Sequence, residues 1–288
     1  MTNPSLARMA GPHISVVIPV YNGVKYIREA ISSVLEQEGV SVQLVVQDNA
    51  SDDGTSEVLH ELAAKDSRLV IKRNSRTVPM GENWNLAMDN ATWEYLLLLS
   101  ADDYLVPGAL AVAMTAFKDD SVDVVTGNHF FLSSGHQYPR KVPVPTGVYS
   151  YFVDKLLAYN PFCINFTLFR RRAFEKLNTG FGLFKSYLLT CDFELWLRIA
   201  ISGMRVGYLS TPLGVYRVHD ENLSRKSGAM TRHTALSVFS HKRILREKWG
   251  GRYRIVVGRL ILKVLLNAVR TGDLDHRLLA VLVRRSFS

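Results

Sequence analysis

Tyr95-Leu96-Leu97-Leu98-Leu99-Ser100-Ala101-Asp102-Asp103 decides how this chain is read. The apolar run is too short for a helix and does not alternate, so 95–99 reads as a strand covered on both faces. Two carboxylates follow at its C-terminal mouth. Adjacent charges there are costly to leave unpaired. In an open α/β sheet, ligands gather outside the carboxyl ends of the strands. A hard divalent cation carrying substrate phosphates would offset the repulsion. A solvated turn is the plainer alternative, since Asp is common in turns.

Upstream of this stretch, apolar strand-like runs alternate with helical periods. Ile14–Val20 is rich in β-branched residues and leads into the turn Tyr21-Asn22-Gly23. Residues 25–37 carry Ile27, Ala30, Ile31, Val34 and Leu35 at helical spacing. Val42–Val46 reads as a second strand, 55–64 as a helix, Leu69–Ile71 as a third strand and 81–90 as a helix. This alternation argues for βαβ units and a mostly parallel sheet, so 13–104 reads as a Rossmann-like half. Downstream, 107–117 reads as a helix and Val122–Thr126 as a strand. Residues 128–149, with Pro139, Pro143 and Pro145, read as a hairpin or loop, and 151–159 and 191–202 as helices. The expected organisation is a tail 1–12, the half 13–104, a second half of the same domain over 105–224, and a helical segment 225–288.

The 288 residues are 47% hydrophobic and 21% charged, ordinary for a globular protein with one large core. Residues 1–12 lack the apolar region of a secretory signal, and no apolar stretch is long enough to span a bilayer. Cys163 and Cys191 suggest neither a metal pair nor a disulfide framework, which points to a reducing, cytoplasmic setting. The net charge of +9 is uneven. Residues 1–224 hold 20 Lys/Arg against 23 Asp/Glu, and 225–288 hold 15 against 3. The basic tail therefore wants an anionic partner.

Asp48-Asn49-Ala50-Ser51-Asp52-Asp53-Gly54-Thr55 follows the second strand. A carboxylate at Asp48 can accept the imide N–H of uracil or thymine. Asp52 and Asp53 read better as acids favoured at a helix start. Tyr21 at the mouth of the first strand can stack on a base or simply pack. In Asp192-Phe193-Glu194-Leu195-Trp196-Leu197-Arg198, the acids either start an amphipathic helix or bring a base to a ligand.

Together these segments resemble the family 2 glycosyltransferases of the GT-A fold. The matching residues are Val16–Asn22, Asp48–Thr55, Gly81, Asn83-Trp84-Asn85, Ala87, Glu94-Tyr95, Asp102-Asp103, Asp192–Arg198, Tyr216-Arg217 and His219. Each motif is modest, but their order and spacing over about 13–224 are specific. The resemblance implies inverting transfer of a sugar from a nucleotide-diphosphate donor, with UDP or dTDP favoured, to a glycan or lipid-linked acceptor. Pro19, Tyr21, Asp48 and Asn83 would bind the nucleotide. Asp102, Asp103 and His219 would hold Mg2+ or Mn2+. Asp192 would be the general base, and Glu194, Trp196 and Arg217 would touch acceptor or diphosphate. Two positions depart from the family pattern: Ser100 stands where an Asp is common, and Cys191 where an acid usually precedes the base.

Beyond 225, Arg259, Lys263 and Asn267 form a polar stripe on an apolar helical stretch over 255–269. The apolar run 278–283 is followed by Arg284-Arg285. Wide apolar faces with basic edges suit an anionic membrane surface, reached peripherally from the cytoplasmic side; packing on the catalytic domain or in a homodimer is the alternative. Aromatic residues are sparse among these cations, so nucleic acid is not expected. A sugar-nucleotide-forming nucleotidyltransferase would open with a Gly-rich, basic turn after the first strand, where this chain has Pro19-Val20-Tyr21-Asn22. A non-catalytic glycan-binding protein would be favoured by loss of Asp102 and Asp192, and both are present. No Gly-x-Gly-x-x-Gly follows a strand, which argues against a nicotinamide dehydrogenase.

Overall fold

The structure, a computed structural model, describes residues 11–250 except 159, 181, 221 and 223–226, together with 253, 255, 258, 262 and 266. The first half follows the alternation in the sequence. Strands β1 (His13–Val20), β2 (Ser41–Asp48), β3 (Leu69–Arg73) and β4 (Tyr95–Leu98) are linked by α1 (Ile27–Leu35), α2 (Thr55–Ala63) and α3 (Met80–Asp89). They lie in the order β3-β2-β1-β4, all parallel. The runs are continuously apolar because alternate side chains feed two different cores. Val17, Val45, Leu96 and Leu98 enter one core with α3 and α7 (Cys191–Ser202). Val16, Ile18, Leu44, Val46 and Leu97 enter the other with α1 and α4 (Ala109–Ala116).

The second half extends the same sheet less regularly. It contains β5 (Tyr104–Leu105), β6 (Val124–Ser133), β7 (His136–Pro139), β8 (Gly147–Tyr149), α5 (Val153–Ala158), β9 (Thr167–Arg170), α6 (Arg171–Leu177) and β10 (Val206–Val218). The order continues β4-β9-β6-β10-β5. Strand β9 is antiparallel to both its neighbours, while β6 and β10 are parallel. The central sheet is thus mostly parallel along its main path, with antiparallel insertions. The expected hairpin over 128–149 is β6–β7, turned by Ser134 and Gly135, both at positive φ, as a two-residue hairpin needs.

Sequence periodicity did not anticipate β9 or β10. Strand β9 is four residues long and runs straight into α6. Strand β10 is broken in register around Pro212, where proline cannot donate to the ladder. The C-terminal segment begins with α8 (Ser227–Ser240) and α9 (Lys242–Trp249). The helices expected over 255–269 and 278–283 lie outside the described residues, apart from single positions in the first. Among the described residues, no helix is long and apolar enough to cross a membrane.

Candidate active site

A cleft of about 680 Å³ opens where β1 and β4 end. Its walls come from the loop after β1 (Tyr21, Lys25, Tyr26), from Ser100–Asp102 after β4, and from Phe162–Asn165 before β9. Leu189 and Asp192 at the start of α7 and Tyr216, His219 and Asn222 beyond β10 close it. A smaller cavity of about 270 Å³ adjoins it, sharing Pro19, Tyr21, Met80 and Trp84 and adding Asn49 and Asn83. This is the crevice at strand carboxyl ends where open α/β sheets bind ligands.

The loop after β1 is held by the acidic turn after β2. Asn22 Nδ2 donates to Asp52 at 2.8 Å, and the Val24 N–H donates to Asp53 at 3.0 Å. The Asn22 N–H donates to Ser51 and the Gly23 N–H to Thr55. Asp52 and Asp53 therefore position the segment that presents Tyr21 and Lys25, beyond favouring a helix start. Tyr21 is 53% exposed, with its ring on the boundary of both cavities.

Asp48 is placed differently from the expectation. It is the last residue of β2 and fully buried, and it lines neither cavity. Its carboxylate accepts the Ser51 N–H at 3.0 Å and the Ser56 hydroxyl at 2.6 Å, and pairs with Arg73. Burial pushes its pKa up, but these donors outweigh burial and hold it below the ordinary value. Asn49 and Asn83 reach the smaller cavity instead. Asn74 Nδ2 bridges them, donating to Asn49 Oδ1 at 2.8 Å and Asn83 Oδ1 at 2.9 Å.

The pair after β4 is split. Asp102 lines the cleft, and its Oδ2 lies 3.0 Å from His219 Nε2 and 3.3 Å from Asn222 Nδ2. Asp103 is buried, accepting the Arg217 N–H at 2.8 Å and the Asn165 amide. Burial and the neighbouring Asp102 charge push its carboxyl well above the ordinary range. Asp103 thus holds the ends of β4 and β10 together and does not line the cleft. Arg217 does not line the cleft either: it donates to the Asp102 carbonyl at 2.9 Å and pairs with Glu29, and its guanidinium sits 4.5 Å from the Tyr26 ring centroid. The Ser100 hydroxyl donates to Asn165 Oδ1 at 2.8 Å.

Helix α7 splits its acids in the same way. Asp192 lines the cleft, and burial pushes its pKa up, which strengthens it as a base. Cys191 behind it is buried, with its thiol pushed well up, so it adds no charge. Glu194 is fully buried and paired with Lys185 at 2.7 Å, His241 at 2.8 Å and Arg198 at 3.0 Å. Trp196 is fully buried against Phe162, with ring centroids 4.7 Å apart. Neither residue lines the cleft: Glu194, two positions on, projects from the opposite side of the helix to Asp192, and Trp196, which shares the Asp192 face one turn further on, is covered by Phe162.

No cluster of three His, Cys, Asp or Glu side chains surrounds a single point among the described residues. The donors that do face the cleft, the Asp102 carboxylate and the His219 imidazole, fit a cation shared with substrate phosphates rather than a closed protein cage. Sequence reasoning missed Lys25 and Asn222. Lys25 is the one Lys or Arg among the described residues lining the cleft, which Asp102, Asp192 and Asp220 also line. A lone lysine in a turn gives no periodic signal. Asn222 is found only through the fold that brings it to Asp102.

The family model for Glycosyl transferase family 2 matches residues 15–177. The putative glycosyltransferase EpsE of Bacillus subtilis is 27% identical over 82% of this chain and 84% of its own length. Glycosyltransferase GlyA of Streptococcus pneumoniae is 22% identical over 82% of this chain, but the match spans only 35% of that longer protein. Among solved structures, S. aureus TarS 1-349 in complex with UDP-GlcNAc aligns at TM-score 0.64 and 19% identity, covering 91% of this chain and 88% of that one. The mannosyltransferase PcManGT from Pyrobaculum calidifontis, in complex with GDP-Man and Mn2+, aligns at 0.64 and 20% identity, covering 95% and 79%. These likenesses show a shared fold. With its family match running from β1 to α6, the chain belongs to glycosyl transferase family 2 and is a glycosyltransferase.

Proposed function

We propose that the chain transfers a sugar, with inversion, from a nucleotide-diphosphate donor to a hydroxyl of a glycan or lipid-linked acceptor. One observation carries this reading: Asp192, Asp102, His219 and Tyr21 border a single cleft although they lie far apart in sequence. The nucleoside end lies along Pro19 and Tyr21 and enters the smaller cavity toward Asn49 and Asn83. Asp102 and His219 would hold Mg2+ or Mn2+ on the diphosphate, and a cation bound there would neutralise charge developing on the leaving group. Lys25 adds a second positive charge facing the same phosphates. Asp192, at the start of α7 on the same cleft, accepts the proton of the acceptor hydroxyl as it attacks.

The donor base and sugar are left to a screen. Asp48 does not face the cavity, which weakens the basis for favouring uracil or thymine. A lipid-linked acceptor is supported by a relative, the UDP-Glc:alpha-D-GlcNAc-diphosphoundecaprenol beta-1,3-glucosyltransferase WfaP of Escherichia coli, 24% identical over 73% of this chain. Such an acceptor agrees with a basic C-terminal segment meeting an anionic membrane. Flotation of the full chain with anionic against zwitterionic vesicles tests that contact, and equal binding to both removes it.

The deciding experiment is a screen of nucleoside diphosphates and nucleotide sugars, with and without Mn2+. Thermal protection and metal-stimulated donor hydrolysis are expected for one nucleotide class. Absence of protection by every nucleotide diphosphate under both conditions overturns the proposal.

A further inference from the structure

Residues 182–190 form a strap between the two halves that ends directly at the proposed base. Its front is clasped by α3: Asn85 Nδ2 donates to the Phe184 carbonyl at 2.8 Å, and the Phe184 N–H donates back to Asn85 Oδ1 at 2.7 Å. Its middle is held by α7, through Lys185 and Glu194 at 2.7 Å. Its rear is held by the C-terminal segment, where the Leu189 N–H donates to His233 Nδ1 of α8 at 3.1 Å. Leu189 and Asp192 both line the cleft.

Glu194 ties these elements together. Its N–H closes the first turn of α7 onto the Thr190 carbonyl at 3.1 Å, around Asp192. Its side chain collects Lys185 from the strap, Arg198 from α7 and His241 from the junction of α8 and α9. Arg198 in turn donates to the Leu177 carbonyl at 2.7 Å and to the Leu183 carbonyl. A buried carboxylate ringed by cations is weak evidence for stability, since apolar residues of similar volume often serve as well or better. It does impose one geometry on whatever it joins. Val238 of α8 and Leu245 of α9 are buried in the same core as α7.

We infer that the C-terminal segment is a working part of the active site: His233 and His241 are positioning residues that, through the strap and Glu194, set where Asp192 stands. The basic segment then does more than supply charge. The inference rests on the reading of Asp192 as base, and its test separates the two.

The experiment uses the full chain with His233→Ala, His241→Ala and His241→Gln, which keeps an N–H donor for Glu194, and Arg243→Ala as a control on an exposed part of α9. Three quantities are measured: Kd for UDP and GDP with Mn2+, the rate of hydrolysis of whichever of UDP-GlcNAc or GDP-mannose is accepted, and amide hydrogen exchange over 182–192. The two alanine variants are expected to keep nucleotide Kd within about twofold while hydrolysis falls roughly ten- to a hundredfold, the scale of a small misplacement at a reacting group. Exchange over 182–192 rises with them. His241→Gln recovers most of the loss, and Arg243→Ala changes nothing. Unchanged exchange and hydrolysis in both alanine variants overturn the inference. A uniform loss of nucleotide affinity, rate and thermal stability, unrescued by His241→Gln, also overturns it, because that is ordinary unfolding. If the wild-type chain neither binds nor hydrolyses any nucleotide, the proposed function fails, and exchange alone still decides whether the C-terminal segment holds the strap.

Discussion

The mouth of β4 and the first turn of α7 handle a pair of nearby acids in the same way, with opposite electrostatics. At each, one carboxylate faces the cleft, Asp102 or Asp192, and its companion is buried. Asp103 is held by neutral donors, the Asn165 amide and the Arg217 N–H, and its pKa is pushed well up. Glu194 is held by Lys185, Arg198 and His241. Burial alone would push its carboxyl up; these partners overcome burial and bring it from 4.5 to about 2. Burial by itself therefore does not decide a carboxylate's charge. The surroundings do: at Asp103 the neighbouring Asp102 charge adds to burial, whereas at Glu194 His241, Arg198 and Lys185 overcome it. The buried member of one pair anchors a strand end through neutral donors, and the buried member of the other ties three elements through cations.

The sharpest way to break this comparison is to neutralise the two acids that line the cleft. Asp192→Asn is expected to lower transfer by roughly a factor of a hundred or more, with nucleotide affinity intact; unchanged turnover in steady-state assays would remove Asp192 from its role. Asp102→Asn is expected to weaken Mn2+-supported nucleotide binding about tenfold or more, and Asp103→Asn far less. Calorimetric titration with and without Mn2+ separates them, and equal losses would erase the distinction between ligand and anchor.

Glu194 allows a test by pH. Its folded-state pKa lies below its unfolded value, so its stabilisation is complete above about pH 4.5 and is lost as pH falls through about 2. The shift corresponds to about 3 kcal/mol. Urea unfolding should show stability rising across that window in the wild type, with a flatter acid limb in Glu194→Gln. Identical limbs would mean that the cluster is not charged as described. The smallest expected effect is at Lys25. Lys25→Ala should weaken nucleoside diphosphate binding about three- to tenfold while leaving the parent nucleoside unaffected. Equal losses for both would place Lys25 away from the phosphates.

Much of the first half was legible because its order is local. Each apolar run between polar turns becomes a buried parallel strand, and each helical period covers it. The loops after such strands must then converge, which is why Tyr21 and Asp102 could be named together. The second half was legible at α4, the start of β6, the β6–β7 hairpin, α5 and α7 but not in its remaining strands. Strand β9 is too short for a period, and β10 is interrupted at Pro212, so their pairing depends on neighbours distant in sequence. The site divided along the same line. Asp102, Asp192, His219, Tyr21, Pro19 and Asn83 reach a cavity, whereas Asp48, Asp103, Glu194, Trp196 and Arg217 are spent on holding elements in place.

By itself, the sequence determined the alternating architecture of 13–104, the family resemblance and the set of acids from which the site is drawn, because these follow from periodicity and residue type. Only the tertiary structure decided which member of each acidic pair meets the cleft, and that Lys25 and Asn222 join it while His233 and His241 brace the strap behind it. Which side of an element faces solvent, and which cation lies within 3 Å of a buried carboxylate, are properties of long-range packing that no local pattern encodes.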